Sequence, residues 1–225
     1  EAQACVLARR KARPTRARVT ETAWAVVKTV GVVNVTAEPY RLTLIVSGNL
    51  LMFALAWIAT SLCLHQLLMF YRERPAAVLA AHKKFIASRI SDLSLLVAIF
   101  LIGFTLQSLQ FDEIFSMMAS MQGPLPVSLE VAALLIVLSA GLKSAQFPFH
   151  GWLLQVMEAP TPVSALLHAG IVNAGAFLVI RMSPILSHSE LALGVLAMVG
   201  LITLALASLV MLTQTSIKVS LAWST

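Results

Sequence analysis

Lys143 stands inside an apolar run, Leu129–Phe149, with Leu142 before it and Ser144, Ala145 and Gln146 after it. A charge at the centre of a membrane-spanning helix costs about 2.5–3.5 kcal/mol on insertion scales, so it asks for a purpose. A lysine near a helix end can snorkel to the interface, and Pro148 lies only five residues on. Gly141, Ser144, Gln146 and Pro148 together point instead to a helix that breaks at depth. Membranes tolerate such a break only where the backbone lines a wet or protein-filled cavity. An ammonium taken out of water loses solvation, which frees a lysine to exchange its proton. Proton exchange is the chemistry this pattern favours.

The other ionisable groups carry less. His168 is followed by Ala169 and Gly170, and with Ala174 and Gly175 these small residues let helices approach closely. A histidine there suits a structural hydrogen bond as well as a proton relay. His150 just past Pro148, His65 in the first apolar run and Lys218 near the chain end are weaker candidates, while His82 and His188 read as interfacial loop residues. Asp92, three residues after Arg89, is expected to cap a helix start, where a carboxylate meets the positive end of the helix dipole. Glu130 opens the third run in the same way. No CxxC, HExxH or clustered histidines suggest a metal, and no glycine-rich loop suggests a nucleotide. The expected cofactor list is empty, and the chain by itself is expected to oxidise no NADH.

The elements that would hold these groups follow from composition. The 225 residues are 59% hydrophobic and 12% charged, with a mean hydropathy of +0.87. A soluble domain carries about 25% charged residues, so a polar coat is missing and the chain reads as an integral membrane protein. That excludes a cytosolic enzyme and a disulfide scaffold. The net charge of +6 does not argue for nucleic acid either, because residues 1–41 hold eight basic against three acidic side chains and the rest is nearly balanced. Spanning helices need roughly 20 apolar residues. Five runs approach that: Leu50–Tyr71, Ile90–Leu109, Leu129–Phe149, Val163–Ile180 and Leu191–Leu212. A sixth begins near Ser216 and stops at Thr225, so the chain is expected to be a piece of a longer parent. Arg72, Arg74, Lys83 and Lys84 predict a cytoplasmic first loop, and Asp112 and Glu113 an outer second one. Residues 1–41 lack the apolar core of a secretory signal and are expected to be disordered or foreign to the membrane domain.

Longer motifs carry a resemblance. Lys143-Ser-Ala-Gln-Phe-Pro-Phe-His-Gly-Trp-Leu-Leu and Glu158-Ala-Pro-Thr-Pro-Val-Ser-Ala-Leu-Leu-His168 closely resemble the antiporter-like subunits of respiratory complex I and of multisubunit Na+/H+ antiporters. Gln214-Thr-Ser-Ile-Lys218 looks like the later lysine-containing helix of that family. Within the superfamily, His65–Pro75, Lys83–Asp92 and His168–Gly175 are most similar to the DabB family, membrane subunits of inorganic-carbon accumulation systems. The resemblance covers about residues 42–225. It implies that Lys143 is the pumping lysine of a broken helix, that His168 connects the central polar axis, and that Lys218 begins the second half of the repeat. One departure stands out: where complex I subunits carry a glutamate directly after the tryptophan of the first helix, this chain has Trp57-Ile58. Asp92, His150 or Glu130 would have to replace that charge.

The expected architecture is therefore all-α and polytopic, part of an antiporter-like inverted-repeat bundle spanning residues 42–225. By resemblance, the expected function is a proton- or Na+-conducting subunit, multi-pass in the cell inner membrane. It would power CO2 hydration on a large soluble zinc partner (DabA-like), surrounded by membrane lipid. A membrane-arm subunit of NADH:quinone oxidoreductase or of an Mrp-type antiporter, and a non-conducting structural subunit favoured by Ile58, are the alternatives.

Overall fold

A computed structural model describes residues 39–40, 42–69, 75–121, 123–155, 167, 170 and 172–225. His168 and the basic segment before residue 39 lie outside the described residues. Among the described residues the secondary structure is helical. The main elements are α1 (Leu50–Leu68), α2 (Pro75–Leu106), α3 (Phe111–Ser120), α4 (Val127–Lys143), α5 (Gly151–Gln155), α6 (Ala174–Arg181), α7 (Ser183–Leu186), α8 (Glu190–Thr213) and α9 (Ile217–Ser224).

Two of these helices are long and apolar enough to cross a membrane by length and composition, Val78–Leu106 within α2 and the whole of α8, and α1 adds the shorter apolar stretch Leu50–Gln66. In hydrocarbon every backbone group must be satisfied within the segment, which helices alone achieve for a continuous span. The starts are marked locally. Asn49 Oδ1 accepts from Leu51 N at 2.8 Å, and Ser189 Oγ accepts from Ala192 N at 3.1 Å. Both are side-chain caps on otherwise orphaned N–H groups.

α2 departs most from expectation. It begins at Pro75, fifteen residues before the predicted Ile90, so Lys83, Lys84, His82 and Arg89 belong to a helix and not to a loop. The physical reason is that α2 carries polar groups on a buried face. Ser88, Ser91, Asp92 and Ser94 are all buried, and they interrupt the apolar run without interrupting the helix. Between the second and third runs lies another helix, α3, whose Phe111, Ile114 and Met118 are buried at the i, i+3, i+7 spacing of one helical face. Asp112 and Glu113 occupy its first turn, favoured there by the helix dipole.

α1 and α2 run antiparallel. Leu50 N donates to Leu109 O at 2.8 Å and Phe111 N to Gly48 O at 2.9 Å, tying the start of α1 to the turn after α2. α2 and α4 make the most extensive helix–helix packing, locked by a reciprocal pair. Ser91 Oγ donates to Ser139 O, and Ser139 Oγ to Ser91 O, each at 2.9 Å. Small residues Ala132, Ala133 and Ala140 of α4 are fully or nearly fully buried and let neighbouring backbones close in. α8 differs: Ala192 is its buried residue, one side meets the core through Leu196 and Thr203, and much of the remainder is exposed and apolar.

α6 approaches α4 more closely than any side chain would permit. A Cβ built on Gly175 would lie 2.5 Å from Ala140 O and collide with Ser144 Oγ. Gly175→Ala is therefore expected to force α6 away from the end of α4. The overpacking cost is about 1–3 kcal/mol, readable as a lowered thermal midpoint of the detergent-solubilised protein.

Candidate functional site

Lys143 is the last residue of α4, and the chain turns immediately after it. Ala145 adopts a left-handed φ of 53°, and Gln146 N donates back to Gly141 O at 2.9 Å. This six-to-one hydrogen bond is the signature of a Schellman helix stop, here with alanine at the position glycine usually fills. The Phe147–Pro148 bond is cis, and α5 resumes at Gly151. Gly141 thus lies in the last turn of α4 and Pro148 in the connection to α5. The freed backbone finds partners on neighbouring helices. Phe147 N donates to Thr203 Oγ1 of α8 at 3.0 Å, and Ser144 Oγ donates to Val172 O at 3.0 Å. A cavity of about 480 Å³, lined by Ser144, Gln146, His150, Thr203 and Trp223 among others, adjoins the break.

Lys143 is 3% exposed, so it does not snorkel. Its Nζ lies 3.6 Å from Asp92 Oδ1, 4.4 Å from the centroid of the Trp57 ring and 3.5 Å from Trp57 O, to which it donates. The other carboxylate oxygen, Asp92 Oδ2, pairs with Arg89 Nη2 at 2.5 Å, and the Arg89 guanidinium lies 5.1 Å from the centroid of the Phe85 ring. One carboxylate therefore serves two cations, one on each oxygen. Removing the shared carboxylate would leave both cations without an anion, which costs several kcal/mol, whereas removing the lysine leaves Asp92 paired with Arg89.

The expectation that Asp92 caps a helix start is overturned. Asp92 sits deep inside α2 and is 4% exposed, because α2 starts so much earlier than its apolar run. Its neighbour three residues back, Arg89, is an ion-pair partner on the same face and not a second capping group. Glu130 does open α4 as predicted. It stands 13 residues from Lys143, roughly 20 Å along the axis at 1.5 Å per residue, and does not meet it. His150 lines the cavity, its ring 5.7 Å from that of Phe147 and 5.3 Å from that of Trp223. Lys218 falls in α9 with its side chain outside what is described, and His168 lies outside the described residues. Of the residues singled out in the sequence, then, Lys143 and Asp92 are brought together.

Lys84 escaped the sequence reading. It is 1% exposed, and its Nζ donates to Ser61 O at 3.0 Å and to Ser61 Oγ at 3.3 Å. The signal was present in the spacing: Lys84, Ser88, Ser91 and Asp92 recur at helical intervals, which a loop does not require. Among the described residues no group of three or more His, Cys, Asp or Glu side chains is placed to hold a metal ion.

Comparison with known proteins supplies the context for this geometry. A family model described as the transmembrane domain of NADH:quinone oxidoreductase and Mrp antiporters matches residues 47–225. The probable inorganic carbon transporter subunit DabB2 of Halothiobacillus neapolitanus is 59% identical over 186 residues, covering 83% of this chain and 34% of that protein. The probable inorganic carbon transporter subunit DabB of Hydrogenovibrio crunogenus is 49% identical over 183 residues, 81% of this chain and 35% of the relative. A chain in the structure of the Mrp complex from Dietzia sp. DQ12-45-1b superposes with a TM-score of 0.74 at 31% identity, covering 81% of this chain and 20% of that one. The chain spans about a third of the length of the curated relatives it matches.

Proposed function

Because the chain belongs to the transmembrane family of NADH:quinone oxidoreductase and Mrp antiporter subunits, we propose that it is the proton-handling part of a membrane subunit that energises inorganic-carbon accumulation. The observation that carries this reading is the buried Lys143–Asp92 pair at the stop of a broken helix. A lysine there can alternate between ammonium and amine. As ammonium it is held by Asp92 and by the Trp57 carbonyl and ring. As amine it releases Asp92 to Arg89, which already holds the other oxygen. The carboxylate thus never stands alone, and the lysine proton is the one that moves.

Asp92 also answers the departure at Ile58. The carboxylate that complex I subunits carry on the first helix is here supplied from α2, and Trp57 still faces the lysine through its ring and its carbonyl. The ground for a purely structural subunit is thereby weakened. Identity with two inorganic-carbon transporter subunits favours carbon accumulation over a role in a quinone-reducing arm. The parent is proposed to lie in the cell inner membrane and to act with a large soluble zinc-containing subunit, on which CO2 is hydrated to bicarbonate.

Partner dependence tests this directly. Expression of the full-length parent alone in a carbonic-anhydrase-deficient host is expected to give no growth at ambient CO2. Coexpression with the partner subunit is expected to restore it. Growth with the parent alone would remove the two-subunit reading.

A further inference from the structure

Trp57, Ser61 and His65 recur every four residues along α1 and so share one stripe, with successive turns about 5.4 Å apart. Each turn of that stripe meets an ionisable side chain. Lys143 donates to the Trp57 carbonyl. Lys84 donates to the Ser61 carbonyl and hydroxyl. The His65 ring meets that of His82 edge-on at 6.2 Å and that of Phe85 at 4.7 Å. Exposure falls along the series: His82 is exposed, His65 is half-buried, and Lys84 and Lys143 are buried. Lys84 lies within electrostatic reach of His65 on one side and of Lys143, Asp92 and Arg89 on the other.

We propose that His82, His65 and Lys84 form a proton path along the α1–α2 seam, leading from the surface to Lys143. The inference rests on the reading of Lys143 as the proton-exchanging group. His82 Nδ1 lies 2.7 Å from Val78 O, which only accepts, so Nδ1 is the donor and Nε2 is left to take a proton from water. His65 Nδ1 is buried with no hydrogen-bond partner among the described residues, which suits a ring that gains and loses a proton through a transient partner. In each step one N–H bond breaks and one forms: from His82 to His65, from His65 to the amine of Lys84, and from the Lys84 ammonium to the amine of Lys143. Gaps longer than a direct hydrogen bond are crossed through water or by a swing of the side chain. The path opens where α2 begins, at the end of the seam on which His82 is exposed.

The competing role for Lys84 is a clamp that pins α2 to α1 through Ser61. The two roles part at arginine. Lys84→Arg keeps the charge and the donors but releases no proton, while Lys84→Met keeps the length and neither charge nor donor. The test is gradient-driven carbon uptake by the full-length parent with its partner subunit, at matched membrane abundance, beside Lys143→Arg as the reference. A proton station is expected to lose about tenfold or more in both Lys84 variants, the lower range of general acid–base contributions and below. Uptake retained in Lys84→Arg and lost in Lys84→Met would assign the clamp and overturn the path. Near-native uptake in both, with Lys143→Arg inactive, would overturn the path and leave the Lys143 reading intact. Near-native uptake in Lys143→Arg as well would overturn both. If neither Lys84 variant accumulates, His65→Phe reads the same question, since the new ring packs against Phe85 but carries no proton. A several-fold loss is expected from it, and unchanged uptake would overturn the path.

Discussion

Lys143→Arg is expected to fold, reach the membrane with its partner subunit, and drive no carbon uptake. The guanidinium keeps a positive charge for Asp92 and a flat face for Trp57, so the packing interactions of Lys143 survive in kind. It stays protonated across the physiological range and so cannot complete an exchange cycle. Lys143→Ala separates charge from proton transfer in the other direction. It deletes a buried cation but leaves Asp92 paired with Arg89 at 2.5 Å, so membrane abundance should hold while uptake falls to background. A lysine that merely balanced Asp92 would instead be replaced well by arginine. Uptake by Lys143→Arg at wild-type abundance is the outcome that would return Lys143 to a structural role.

Asp92→Asn is expected to be the more damaging change to the fold. It removes the only carboxylate that Arg89 and Lys143 meet among the described residues, so that the buried Lys143 and the half-buried Arg89 are both left without an anion. Breaking a buried pair in this way costs about 3–5 kcal/mol, well above the effect expected for Lys143→Ala. The two changes should not add. Removing the lysine from the asparagine variant takes away one of the stranded cations, so Asp92→Asn with Lys143→Ala should recover part of the lost stability. Thermal unfolding of the four detergent-solubilised proteins checks this. Strict additivity would mean that Asp92 and Lys143 do not hold one another in the folded state.

The break after Lys143 was legible because glycine, proline and a run of small polar residues act locally, through backbone conformation. Asp92 and Lys84 were misread for a single reason. A buried polar face in a membrane helix looks, by hydropathy, like the end of the helix, so hydropathy starts α2 at Ile90 and assigns the residues before it to a loop. The same habit hid α3, whose acidic first turn and short apolar face resemble an exterior connection. Which carboxylate meets Lys143 is a different kind of question. Asp92 and Lys143 are far apart in the chain and meet because α2 packs along α4 through Ser91 and Ser139, a pairing that no local pattern encodes. Ile58 stands on α1, while the carboxylate beside Lys143, Asp92, lies on α2.

Proton flux across proteoliposomes holding the complete two-subunit complex, under an imposed pH gradient, tests the central claim most directly. Wild-type complex is expected to carry a proton current that Lys143→Arg abolishes at equal incorporation. An undiminished current through Lys143→Arg would contradict proton exchange at Lys143.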